Sequence, residues 1–153
     1  MSEIHRMAKQ LQRTFQGRAF HGPAVEEAVA GVSAKTAASR STGAAHSIWQ
    51  IVEHITVWQE AVRRWLQGDP RRPTDAEDWP TIKDTSDAAW QDTLRRAHKA
   101  NDDLRDVVMA LDESRLDEPM LEGMPKVYVA LYGIVQHNTY HAGQISLLKK
   151  LQS

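Results

Sequence analysis

Between Trp90 and Leu111 the chain places Trp90, Leu94, Ala97, Asn101, Leu104, Val108 and Leu111 at alternating steps of four and three. Side chains at that spacing share one face of an α-helix and form the seam along which helices pack. Three more segments repeat with a helical period. The first carries Ile4, Met7, Ala8, Leu11 and Phe15 and ends before Gly17. The second carries Ile48, Ile51, Val52, Ile55, Trp58, Val62, Trp65 and Leu66; Ser47 and Gln50 form a capping box at its start, and Gly68-Asp69-Pro70 closes it. The last presents Val127, Ala130, Leu131, Ile134, His141, Ile145 and Leu148 on one face. No segment shows a strand pattern, so the expected fold is all-α, an antiparallel four-helix bundle.

The connections add detail. Gly17 to Pro23 is turn-rich, and Pro23 can open a short extra helix through Val29, between the first and second long helices, before Gly31 stops it. From Pro70 to Asp84 three prolines, several acids and Trp79 describe a surface loop, long enough to serve as a lid. Arg63-Arg64 and Arg71-Arg72 beside it read as a solvated helix end in preference to an anion site. No internal repeat is visible.

At 153 residues, one domain over 1–153 is expected. A net charge of −1 leaves no broad positive field, so neither nucleic acid nor an anionic membrane is an expected partner. The absence of cysteine excludes disulfides, thiolate metal sites and cysteine nucleophiles, and suits a reducing cytoplasm. The longest apolar stretch, Val127 to Val135, falls far short of the roughly 20 residues of a membrane helix, and the residues from Met1 to Arg6 lack a leader's apolar core. A soluble cytoplasmic protein is the expectation.

Seven histidines are present. His137 and His141 lie four apart on the last helix and project into one volume; His141 falls within the apolar stripe and His137 at its flank. His54 sits at the edge of the second helix's stripe and also looks inward. Three imidazoles from two helices can bind a divalent first-row metal and leave a position open for water or substrate. Taken singly, each is equally compatible with a hydrogen-bonded core or rim histidine. His5, His21, His46 and His98 belong to no such constellation. Asn138 follows His137 where a zinc peptidase needs glutamate, and helical phase turns Glu53 and Glu60 away from the stripe. The chemistry therefore falls to the metal, which can acidify a bound water or thiol. Trp58, one turn from His54, is a candidate pocket residue. Asn101 is either a polar group that sets helix register or a donor that braces a ligand from behind. Gly143, beside Ala142, would let another helix or a ligand approach closely.

The strings Gly133-Ile134-Val135-Gln136-His137-Asn138-Thr139-Tyr140-His141-Ala142-Gly143-Gln144-Ile145 and His46-Ser47-Ile48-Trp49-Gln50-Ile51-Val52-Glu53-His54-Ile55 resemble the DinB-like superfamily, including its YfiT-like members. Phe20-His21-Gly22-Pro23 and Asp78-Trp79-Pro80 look like that family's connections. The resemblance implies a four-helix bundle with a divalent metal, commonly nickel or zinc, on His54, His137 and His141, and often a homodimer. It also implies a choice among activities: metal-dependent hydrolases, and enzymes that use a low-molecular-weight thiol, such as bacillithiol transferases and a mycothiol-dependent isomerase.

The expected function is thus that of a metal-dependent enzyme acting on a small-molecule substrate, either a low-molecular-weight-thiol S-transferase or a hydrolase. The alternative is a non-catalytic, metal-containing protein that binds small molecules in a stress response.

Overall fold

The computed structural model describes residues 1–152. Among the described residues seven α-helices follow in order: α1 (Glu3–Gln16), α2 (Val25–Val29), α3 (Ala34–Ala38), α4 (Ile48–Leu66), α5 (Asp75–Asp78), α6 (Asp87–Met109) and α7 (Val127–Leu151), with a 3-10 turn at Glu113–Asp117 before the last. No strand occurs among the described residues. Serine hydroxyls start three of the four long helices by accepting a free backbone N–H: Ser2 from His5, Ser47 from Gln50 and Ser86 from Ala89. The capping box at Ser47 is complete, since the Gln50 side chain accepts the Ser47 N–H in return. At the other end of α4, Gly68 adopts φ +92°, which lets its N–H reach the Trp65 carbonyl and the Asp69 N–H reach that of Arg64. This left-handed cap is cheap only for glycine.

α1 and α4 each pack against both α6 and α7. The pairs do not all alternate in direction. Phe15 meets His98 and the Glu3 N–H meets Glu113, so α1 and α6 run antiparallel, as do α4 and α7, where His54 meets both His137 and His141 and Trp58 meets His137. Along α4 and α6, however, Trp49 meets Trp90 and Thr93 while Glu53 meets Arg96, so this pair runs parallel. The all-α bundle is as expected, and its strictly antiparallel order is corrected at this pair. The physical reason lies in the connection: α4 is about 28 Å long at 1.5 Å per residue, and residues 67–86 form a link long enough to return the chain to the starting end.

The two short helices α2 and α3 together occupy the connection where one short helix is expected. Gly143 is exposed, and a Cβ built on it would meet no atom within 4 Å, so it serves no close approach inside the described chain.

The interior divides into two apolar clusters. One gathers Phe15, Ile51, Ile55, Ala97 and Ile145, the other Leu11, Ala61, Val62, Leu104 and Ile134. Between these positions every long helix contributes a buried polar side chain: Thr14, Gln59, Asn101 and Asn138. The Thr14 hydroxyl donates back to the Gln10 and Leu11 carbonyls. The amides of Gln59, Asn101 and Asn138, all fully buried, have no protein partner among the described residues. A polar waist therefore interrupts the hydrophobic core.

Candidate metal centre

The antiparallel contact of α4 with α7 turns His54 toward His137 and His141. The Nε2 atom of His137 lies 3.0 Å from that of His54 and 3.1 Å from that of His141. Imidazole nitrogens that share one divalent ion at about 2.0–2.1 Å stand about 2.9–3.4 Å apart, so the spacing fits a common ion.

The outer ring nitrogens explain why the inner ones are free to act as ligands. His54 Nδ1 donates to the Asp78 carboxylate at 2.7 Å, and His141 Nδ1 donates to Gln144 Oε1 at 2.6 Å. Both partner atoms are acceptors, so the proton sits on Nδ1 and the Nε2 lone pair faces inward. His137 Nδ1 is buried without a partner. Burial, reinforced by the neighbouring imidazoles, pushes His137 down to about 3, and burial pushes His141 down to about 4 against the opposing pull of its bond to Gln144. Both rings are neutral at neutral pH, which is the ligating form. The three side chains form a group that could hold a metal ion.

Trp58 stands beside this group. Its ring lies edge-on to His54 and His137 at 6.3 and 6.4 Å between centroids, and its indole N–H donates to Asp78 at 2.6 Å. Asn101 does not join it; its amide belongs to the polar waist and bonds to none of the histidines. Glu53 faces away, as helical phase predicts, and is bound by Thr93 and Arg96.

Four residues of the site escape the sequence reading. Asp78 comes from the Pro70–Asp84 loop, where no periodicity says which way a side chain points. Trp79, next to it, stacks on His54 at 3.9 Å and on the other side against His46 at 3.5 Å, so His46 does have a place in the constellation. Gln144 was legible in principle, being three residues beyond His141 on the same helix face. The loop itself is an anchored roof. Gln50 donates to the Pro80 carbonyl, Trp65 donates to the Arg71 carbonyl, and Arg71 pairs with Glu77 at the single turn of α5.

The model of the DinB superfamily matches residues 20–145, a span that holds all three histidines and Asp78. The chain belongs to the DinB superfamily. Only α1 among the long helices lies wholly outside the matched span, so the DinB match covers the α4–α7 contact that builds the site. No curated protein matches the chain.

Proposed function

We propose that this DinB-superfamily chain is a metal-dependent enzyme acting on a small molecule, with His54, His137 and His141 as ligands of a divalent transition metal, zinc or nickel. The observation that carries the reading is the convergence of three imidazole Nε2 atoms, two of them fixed from behind by Asp78 and Gln144. A bound metal supplies a Lewis acid that lowers the pKa of a thiol or water brought to it. Asp78 and Gln144 hold the Nδ1 protons and fix the rings. Trp79 and the anchored loop cover one side of the histidines and exclude water there. The chain has no cysteine, so a sulfur nucleophile has to come from a low-molecular-weight thiol cosubstrate. Transfer of such a thiol to an electrophile is the favoured reaction, and hydrolysis is the second.

The assembly belongs to the same reading. The tryptophans are all buried or half-buried and do not supply an exposed face. Tyr132, Tyr140, Leu147 and Leu151 do, on one side of α7, and they support a homodimer. No helix among the described residues is long and apolar enough to cross a membrane. A cytoplasmic location accords with the cysteine-free composition.

The test is a panel of thiols and electrophiles offered to protein of known metal content. His141→Ala should lose metal and turnover together while keeping its helical signal. Turnover that persists unchanged in metal-free His141→Ala protein contradicts the proposal. Ligand-dependent stabilisation without turnover would instead identify a binding protein.

A further inference from the structure

A cavity of about 400 Å³ opens beside His137, one of the three histidines, between α4, α7 and the turn that precedes α7. Its volume lies in the range of small-ligand sites. Trp58 and Trp65 form one wall, Met120 and Met124 another, and His137 lies at one end. Both indole N–H groups are already taken, by Asp78 and by the Arg71 carbonyl, so the tryptophans offer only apolar surface. Methionine walls adapt to variable apolar shapes.

Apart from His137, the only polar side chain on the lining is Arg72. Its guanidinium carbon lies 5.9 Å from the centre of the Trp65 ring. The neighbouring arginines are engaged: Arg63 with Gln67, Arg64 with Asp69 and Arg71 with Glu77. Arg72 makes no hydrogen bond or ion pair among the described residues, and in this it differs from the rest of the cluster that the sequence presents as a solvated helix end. The groups form a sequence in space. His137 neighbours Trp58 at 6.4 Å, Trp58 neighbours Trp65 at 6.0 Å, and Trp65 neighbours Arg72.

We propose that this cavity binds a small organic acid, with its apolar body on the two indoles, its carboxylate at Arg72 and its other end toward His137. The charge complement fixes the orientation: an anion is attracted to the outer guanidinium, and an apolar body gains by leaving water for the tryptophan and methionine walls. The proposal rests on the functional reading above, because it names the substrate class of the same site. It concerns walls that are complete without a metal, however, and is tested without one.

The experiment is a calorimetric titration of the chelator-treated full chain with 4-phenylbutyrate and with its neutral counterpart 4-phenylbutanol. The acid should bind about five-fold more tightly than the alcohol, the size expected for one exposed charge pair. Arg72→Gln should bring the two affinities together, whereas Arg71→Gln should leave the preference intact. Ala130→Phe, which fills the cavity, should abolish binding of both while circular dichroism stays unchanged. Equal binding of acid and alcohol, binding of neither, or a preference that survives Arg72→Gln overturns the proposal. Metal uptake measured separately on the same protein reports on the three-histidine reading, so either can fail without the other.

Discussion

At the scale of single residues, the chemistry depends on which nitrogen of each imidazole carries its proton. His54 and His141 have theirs placed by Asp78 and Gln144, and the lone pairs face one another as a consequence. Asp78→Ala should therefore weaken metal binding by about 10–100-fold, the usual cost of losing a group that braces a ligand from behind. Competition against a chelator measures this, and an unchanged affinity would remove Asp78 from the account. The histidines themselves legislate a pH dependence. In the unfolded chain His137 and His141 titrate near the ordinary 6.5, whereas in the folded metal-free chain they are held at about 3 and about 4 respectively. Between these limits the unfolded state binds more protons, so the stability linked to the pair is complete above pH 6.5 and declines as the pH falls toward 4. Each group contributes a slope of at most about 1.4 kcal/mol per pH unit. Thermal melts of chelator-treated protein should show a midpoint that drops from pH 7 to pH 5. Replacing both histidines by Gln should flatten that drop, and an identical slope in the variant would contradict the burial argument. The inward phase of these histidines was legible in the sequence because helical period fixes it. The Asp78 contact was not, because a loop has no period.

At the scale of elements, the α4 boundaries were written in local chemistry. Ser47 with Gln50 starts it and Gly68 stops it, with bonds that involve near neighbours only. The short α3 and the one-turn α5 carry no comparable apolar period, which is why only one short helix was expected before α4 and none in the loop. Asn101 shows how an interrupted seam resolves: the break belongs to a waist of buried amides shared by α4, α6 and α7. Since its amide has no protein partner, Asn101→Leu should hold or raise the thermal midpoint. Leu104→Ala, one turn further along α6 and fully buried, should cost about 2–5 kcal/mol. Denaturant unfolding of the two variants makes the comparison. A large loss in Asn101→Leu would show that the waist is held by bonds, through water or otherwise, that the amides need.

At the scale of the whole molecule, the α-helical class followed from four stripes, but the direction of α6 relative to α4 did not. Apolar stripes say which face is buried and nothing about which way a partner runs; the long 67–86 link decides that, and it places Asp78 and Trp79 over the histidines. The exposed side of α7 is the remaining large-scale feature. If it is the dimer face, light scattering should give a dimeric mass at micromolar concentration and a monomeric one for Leu147→Glu, which places a charge where Leu147 is 60% exposed. A monomeric wild type would count against that assembly. The central claim is narrower: one ion is held jointly by α4 and α7. Elemental analysis of untagged protein, alongside His54→Ala and His141→Ala variants of unchanged helicity, tests it most directly. The account predicts about one equivalent of divalent metal per chain in the wild type and its loss in either variant. Wild-type protein that takes up no metal, or variants that retain the full equivalent, would contradict it.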